Sequence, residues 1–253
     1  MGGNGRDGHR VARSRHTSRC AALAAAFRRA PGGLLRQRGS ALAALGEAVR
    51  LDLTAAVELV IEYAVQPPKG EGKASFTDLM VRCADASLAI EAKYTEPRYE
   101  TVGSWLGPNP TQNRQDVLSG WLSLISSVAG KAVEVESVRD LPYQLIHRTA
   151  SACSTDVADR ALVHLIFGEG AGAHYVEDIA ALDRILGEPS GLAMHVFRVP
   201  VQPEPAFTSL AKRWDAGERE LGDDVRQALL AGPLFRFGPL QALYDRPRSR
   251  IRV

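Results

Sequence analysis

Residues 76–96 read FTDLMVRCADASLAIEAKYTE, and this stretch decides the fold. Apolar residues recur at alternate positions on either side of Ala84-Asp85, which is typical of two antiparallel strands joined by a tight turn. A two-residue turn at that point places Asp78 opposite Glu91. The Cβ atoms of directly opposed residues are roughly 5 Å apart. The hairpin is therefore predicted to bring two carboxylates together.

The two faces of this hairpin differ in character. Lys93 lies two residues after Glu91 and so shares its face. The opposite face collects only apolar residues, namely Leu79, Val81, Leu88 and Ile90. We therefore expect one face in the core and a polar face that presents Asp78, Glu91 and Lys93. On a polar face, Lys93→Ala is expected to cost about 1 kcal/mol of stability or less.

Two neighbouring carboxylates repel each other, and a divalent cation relieves the repulsion. Mg²⁺ prefers oxygen ligands and is commonly held by one or two carboxylates together with waters and substrate phosphates. A metal of this kind also activates water, and a nearby lysine can orient that water toward phosphorus. The pattern therefore indicates a hydrolytic metal site. A surface salt bridge of Lys93 with either carboxylate remains the alternative.

The flanking sequence predicts an α/β domain with a central sheet. Apolar spacing indicates helical segments over 20–29, 41–65 and 111–128, a helix from about 140 to 153, and another near 175–186. Continuous apolar runs at 161–167 and 192–199 are typical of buried strands. The C-terminal portion is predicted to hold helices followed by a basic tail.

Charge and composition suggest the domain boundaries. The first 50 residues contain ten arginines and two acids, a net +8, so the remainder carries −6. We assign residues 1–18 to a disordered basic arm, 19–240 to one domain and 241–253 to a basic C-terminal tail. Three scattered cysteines favour a reducing compartment, and no apolar run approaches a membrane span. The expectation is a cytoplasmic protein without a membrane partner.

The hairpin resembles the PD-(D/E)XK nuclease superfamily, which has the restriction-endonuclease-like fold. The run T-D-L-M-V carries Asp78 in the place of the first acidic motif, and A-I-E-A-K-Y-T-E-P carries Glu91-Ala92-Lys93 in the place of E-x-K. Thr77 stands where the motif has proline. Residues 96–106 and 141–152 are also similar to a bacterial branch of the superfamily, and the resemblance covers roughly residues 50–200.

The resemblance implies a restriction-endonuclease-like core, a central mixed β-sheet flanked by helices, and a Mg²⁺-dependent deoxyribonuclease in which Mn²⁺ can substitute. It implies that Asp78, Glu91 and the Ala92 carbonyl hold the metal and that Lys93 positions the attacking water. It also implies an acidic residue on the helix before the hairpin, for which we choose Glu62. Some branches carry Q-x-x-x-Y on the helix after E-x-K. Gln144 matches its first position.

The helix of Gln144 supplies candidate contacts to nucleic acid. Arg148 stands where Q-x-x-x-Y has tyrosine, and it shares a helical face with Gln144 and Ser151, with His147 beside them. An arginine there can bind a phosphate bidentately. The rival function is a catalytically silent nuclease-like fold that binds nucleic acid or a protein. The choice between DNA and RNA and between monomer and homodimer stays open, with DNA preferred.

Overall fold

The computed structural model describes residues 43–51, 53, 57–94, 96–168, 172–187 and 191–246. Six strands form one mixed sheet in the order β1-β2-β3-β4-β5-β8. They are β1 (Glu58–Val65), β2 (Ser75–Arg82), β3 (Ala86–Lys93), β4 (Asp159–Phe167), β5 (Leu192–Val199) and β8 (Gln241–Arg246). Strands β1 to β3 are antiparallel, β3 to β5 are parallel, and β8 runs antiparallel to β5.

Helices flank this sheet. A helical segment, α1, covers 43–49. It is followed by α2 (Val102–Leu106), α3 (Gln112–Ala129), a 3-10 turn (Val135–Val138), α4 (Tyr143–Cys153) and α5 (Ala173–Leu186). The Thr101 and Thr111 hydroxyls cap α2 and α3 by accepting main-chain N–H groups of the first turn. The predicted helix over 111–128 and the predicted strands at 161–167 and 192–199 are thus confirmed.

Both faces of the sheet are packed. On one face, Met80 and Ala89 lie in a core cluster with Trp121 of α3 and Ile146 of α4. On the other face, Val81, Leu88 and Ile90 pack with Leu45 and Val49 of α1. The expected apolar face of the hairpin is therefore confirmed. The chain is an α/β protein with a mixed sheet flanked by helices.

The hairpin has the predicted register. Leu79 pairs with Ile90, and Arg82 pairs with Ser87. The Cys83 N–H donates to the Ala86 carbonyl at 2.9 Å and closes the turn. Extending this register one step places Asp78 across from Glu91, and there the regular ladder between β2 and β3 ends.

The prediction of one helical stretch over 41–65 is wrong beyond residue 49, because Glu58–Val65 forms strand β1. Val60, Ile61 and Val65 are β-branched and Tyr63 is aromatic, residue types that suit a strand, and β1 pairs with β2 along its length except at Glu62. The predicted helix over 20–29 and the predicted disordered arm over 1–18 lie outside the described residues.

The single domain over 19–240 stays a prediction. Contacts within the chain divide it into two units, and residues 202–236 fall in the smaller one. This segment holds α6 (Pro205–Asp215) and α7 (Gly222–Ala231), and the short strands β6 (Val201–Pro203) and β7 (Phe235–Phe237) pair beside it. Arg213 of α6 forms ion pairs with Glu218 and Asp224.

Residues 241–246 do not begin a tail, because they form the edge strand β8 against β5. The Arg246 guanidinium donates to the Gly187 carbonyl at 2.7 Å, so part of the predicted basic tail is tied to α5. Among the described residues, no helix is both long enough and apolar enough to cross a membrane.

Candidate functional site

The site begins where the ladder between β2 and β3 opens. The Asp78 carboxylate accepts the Ala92 N–H at 2.8 Å, so a side chain takes the place of a cross-strand carbonyl. The alternation of faces breaks at the same point. Thr77 bonds to α4, and Met80, three residues later, packs on that same side of the sheet. Residues three apart in a regular strand face opposite sides, so β2 changes face around Asp78.

The neighbouring strand is irregular at the matching position. Glu62 of β1 has φ +54, a backbone conformation that residues other than glycine seldom adopt. The ladder between β1 and β2 pairs Ile61 with Leu79 and Tyr63 with Thr77 and passes over Glu62. Glu62 is therefore a strand residue with an exposed side chain and not, as predicted, a helical residue. None of its described contacts joins it to Asp78.

Glu91 and Lys93 face α4, and helix packing buries them. Glu91 has no exposed surface, and the Lys93 side chain is 5% exposed. The Arg148 Nε lies 2.9 Å from Glu91 Oε1, and the Lys93 Nζ lies 3.4 Å from Glu91 Oε2. The predicted polar face is thus a buried charge cluster under a helix. The small stability cost expected for Lys93→Ala assumed an exposed polar face, and the structure instead buries the whole side chain.

Gln144 of α4 holds the other side of the lysine. Its Oε1 accepts a hydrogen bond from Lys93 Nζ at 3.0 Å. The rings of Tyr99 and Tyr175 lie 5.7 and 5.8 Å from the same ammonium. These distances are within the range of cation–π attraction. The sequence places Gln144 correctly beside Lys93, whereas the two tyrosines were not predicted.

Burial governs the ionisation of Glu91. It raises the pKa of this carboxyl to about 7, although the charges of Arg148 and Lys93 act to lower it. The negative charge of Asp78 raises the pKa further, so the two carboxylates are close enough to interact. At neutral pH Glu91 therefore exchanges readily between its acid and its carboxylate.

The three residues predicted to contact nucleic acid turn inward. Ser151 is fully buried, and its hydroxyl is 2.9 Å from that of Thr77. The Arg148 side chain is 13% exposed and is committed to Glu91 and, at 3.2 Å, to the Ser75 hydroxyl. The His147 Nδ1 lies 2.9 Å from the same hydroxyl. Ser151 cannot reach a ligand unless α4 moves, because helix packing covers it.

His164 is the residue that sequence reasoning most clearly missed. It was not among the predicted site residues, and it lies buried in strand β4. It pairs with Glu91 across β3 and β4 and so lies on the same face of the sheet. Neither ring nitrogen has a hydrogen-bond partner among the described residues. Burial, helped by the charges of Lys93 and Arg148, holds the pKa of His164 well below its usual range. The ring is therefore neutral and available beside Glu91.

The donor set suits a weakly held hard cation. Glu91 Oε1 is a buried oxygen without a well-formed hydrogen bond, and Asp78 supplies a second carboxylate. Among the described residues, no cluster of three or more acidic, histidine or cysteine side chains could hold a metal ion. A cation at Asp78 and Glu91 would therefore need the Ala92 carbonyl, waters and substrate oxygens as well. Mg²⁺ is commonly bound in this way.

His147 makes the protein sensitive to acid. Burial lowers its pKa from 6.5 to about 3, so the folded protein resists a proton that the unfolded chain accepts. The resulting penalty is absent above the unfolded pKa and grows as the pH falls toward 3. We expect His147→Gln to reduce the slope of unfolding free energy against pH by about 1.4 kcal/mol per pH unit between about pH 6 and pH 4. Chemical denaturation across this range measures the slope. A wild-type slope in the variant would show that His147 titrates normally.

A family model described as a domain of unknown function, DUF6946, matches residues 14–201. No curated protein and no solved structure matches the chain. The matched range contains the β2–β3 hairpin, α4 and His164, so the whole charge cluster lies within it. Because the match covers most of the length of the chain, the chain belongs to the DUF6946 family.

Proposed function

We propose that this protein is a Mg²⁺-dependent nuclease that hydrolyses phosphodiester bonds of DNA and has a restriction-endonuclease-like core of the PD-(D/E)XK type. One observation carries the proposal. The β2–β3 ladder opens where Asp78 accepts the Ala92 N–H, and this contact joins Asp78 to the strand segment that bears Glu91 and Lys93. The trio that the motif requires is therefore gathered at one point of the sheet.

Asp78, Glu91 and the Ala92 carbonyl would hold the metal, and Mn²⁺ would substitute for Mg²⁺. When bound, the metal lowers the pKa of water and stabilises negative charge on the phosphate. The Asp78 contact to the Ala92 amide fixes the carboxylate relative to β3. Burial raises the pKa of Glu91 to about 7, so a cation that binds this carboxyl displaces its proton to water at little cost near neutral pH.

Lys93 is held in position for a role in water activation. Gln144 and Glu91 bind its ammonium from two sides, so the side chain is oriented before any substrate arrives. A fixed ammonium can orient the attacking water by donating a hydrogen bond to its oxygen along one direction. Gln144 is then a positioning residue that acts through Lys93. Glu62, which is exposed on β1, has no assigned part in this arrangement.

The charges of the cluster are balanced without a metal. Asp78 and Glu91 stand against Lys93 and Arg148, and Arg148 lies against the oxygen of Glu91 that a cation would use. We propose that a bound cation releases Arg148 from Glu91 and leaves its guanidinium free for a substrate phosphate. Arginine binds phosphate through two parallel hydrogen bonds, which suits this role.

The rival function is a catalytically silent fold that binds nucleic acid or a protein partner. Its support is the complete burial of Glu91 beside Arg148, an arrangement that also occurs in purely structural ion pairs. In either case we place the protein in the cytoplasm without a membrane partner, since its three cysteines are few and scattered along the sequence. A homodimer remains one candidate for its oligomeric state.

The test combines melting and cleavage. We expect Mg²⁺ and Mn²⁺ to raise the melting temperature, because a ligand that binds only the folded state stabilises it by mass action. A parallel cleavage assay with Ca²⁺ in place of Mg²⁺ serves as the comparison. With Mg²⁺, the protein should cut DNA in an assay that offers single-stranded and duplex DNA and RNA. Stabilisation without cleavage of any of these substrates would favour the silent fold. The absence of both stabilisation and cleavage would refute the metal site.

A further inference from the structure

A pocket of about 370 Å³ lies beside the charge cluster and is not part of it. Its walls come from the segment that enters β2 and from α2, α3 and α4. Of the residues that line the pocket, Ser75 and His147 also take part in the hydrogen bonds that lead to Arg148 of the charge cluster. The volume falls at the lower end of the range for small-molecule sites. None of the functional roles assigned so far uses this pocket.

The hydrogen-bond network decides what His147 presents to the pocket. Arg148 has only donors, so its contact makes the Ser75 hydroxyl an acceptor. Among the described contacts of Ser75, His147 Nδ1 at 2.9 Å is the acceptor left for the hydroxyl proton, so we assign that proton to the bond with Nδ1. His147 is neutral, since burial lowers its pKa to about 3. Its single proton therefore sits on Nε2, and the ring offers a donor.

Tyr143 supplies a second donor. Its hydroxyl oxygen accepts the Trp121 indole N–H at 3.2 Å, and no described acceptor takes its own proton. Its ring stacks on Trp105 with centroids 3.9 Å apart, which fixes the orientation of the hydroxyl group. The pocket thus has two oriented neutral donors on α4.

Two cations and one carboxylate, Glu71, also line the pocket, which leaves the lining with a net positive charge. Lys73 is exposed and has no ion pair among the described residues. Arg114 is held over the Trp105 ring, 5.6 Å from its centroid, by a 2.9 Å hydrogen bond to the Trp105 carbonyl. The half-buried Trp105 presents apolar surface to the pocket, whereas Val117 and Trp121, also among the lining residues, are 4% and 1% exposed. The lining therefore suits a ligand with a flat apolar part, several acceptor atoms and negative charge.

We propose that this pocket binds one phosphorylated nucleoside, either free or as one unit of a nucleic-acid chain. The choice of a nucleotide as the ligand rests on the nuclease function proposed above. The donors and cations that line the pocket are observed independently of that function. The base lies beside Trp105, with its acceptors toward His147 and Tyr143, and the phosphate meets Lys73 and Arg114. Ser75 links this pocket to Glu91 through Arg148, so a chain bound here leads its next phosphate toward the cluster.

The test measures binding without divalent metal, so it does not depend on cleavage. Trp105 and Trp121 line the pocket, and Trp214→Phe removes the tryptophan of α6 from the signal. We expect adenosine monophosphate and a short oligothymidylate to quench the remaining fluorescence. Lys73→Glu should weaken that binding at least about tenfold, because a bound phosphate meets a repulsive charge. Tyr143→Phe should weaken it severalfold by removing one donor.

Lys69→Glu is the matched control, since Lys69 is exposed in the same loop but does not line the pocket. It should bind like the parent protein. Quenching by the oligonucleotide alone identifies a chain as the natural source, and quenching by the mononucleotide alone identifies a free nucleotide. Equal effects of Lys69→Glu and Lys73→Glu, or equal binding of inorganic phosphate, would overturn the proposal. Binding that persists in a variant unable to cleave would separate this site from the proposed catalytic one.

Discussion

Asp78→Asn is expected to abolish Mg²⁺-dependent cleavage while leaving the fold intact. The asparagine amide oxygen can still accept the Ala92 N–H, so the contact that shapes the opening survives. The substitution removes one of the two negative charges that would hold the cation. Loss of several kcal/mol of charge stabilisation corresponds to a rate reduction of roughly 10³-fold or more. Cleavage rates and Mg²⁺-dependent melting measure the two consequences.

Asp85→Asn provides the control for this substitution. Asp85 lies in the turn of the same hairpin, and its side chain is exposed. It should cut at the parent rate and keep the full metal-dependent rise in melting temperature. If Asp78→Asn still cuts at the parent rate, the carboxylate is only a structural acceptor for Ala92, and the proposed metal site is wrong.

The hairpin was predictable because its information is local. Alternation of apolar residues around Ala84-Asp85 determines both the turn and the register, and the structure has Leu79 opposite Ile90 as that register requires. The strands at 161–167 and 192–199 were equally accessible, because a short continuous apolar run can be buried on both sides. Strand β1 was not, since its apolar spacing also fits a helix.

The burial of the site was not predictable from the hairpin alone. Alternation shows that Glu91 and Lys93 share a face, but it does not show what covers that face. Helix α4 does so, and Arg148 reaches Glu91 across 57 positions of sequence. The irregular conformation of Glu62 likewise arises from pairing with β2 and has no local signal. Long-range packing therefore turned an expected surface cluster into a buried one.

The same lesson applies to the polar residues of α4. Spacing correctly groups Gln144, Arg148 and Ser151 on one helical face. That face was expected to be exposed and to contact nucleic acid. The structure turns it toward β2 and β3, where Ser151 meets Thr77 and Gln144 meets Lys93. A polar helical face therefore indicates a shared environment without showing whether that environment is solvent, protein or ligand.

Lys93→Met is expected to affect both cleavage and stability. The ammonium is buried and binds Glu91 and Gln144, so its removal leaves Gln144 without its partner and Glu91 with Arg148 alone. Breaking a buried pair typically costs 3–5 kcal/mol, and the remaining arginine reduces this to about 3 kcal/mol. Cleavage, measured well below the variant's melting temperature, should fall roughly 10²-fold or more if Lys93 positions the attacking water.

The pH dependence of this stability loss identifies its cause. Glu91 has a pKa of about 7 with Lys93 present, and loss of a neighbouring cation raises it further. At about pH 5 the carboxyl is protonated in the folded variant, so no buried charge lacks its partner, and the cost of Lys93→Met should shrink compared with about pH 8. Adding Glu91→Gln should reduce the cost in the same way, because the double variant has no Glu91 carboxylate that needs a compensating cation.

Lys69→Met is the control, because Lys69 is an exposed lysine of the loop before β2. It should change neither stability nor cleavage. A stability cost that is identical at both pH values would show that lost packing, and not the stranded charge of Glu91, destabilises the variant. Parent-like cleavage by Lys93→Met would assign the ammonium to the fold and remove it from the chemistry.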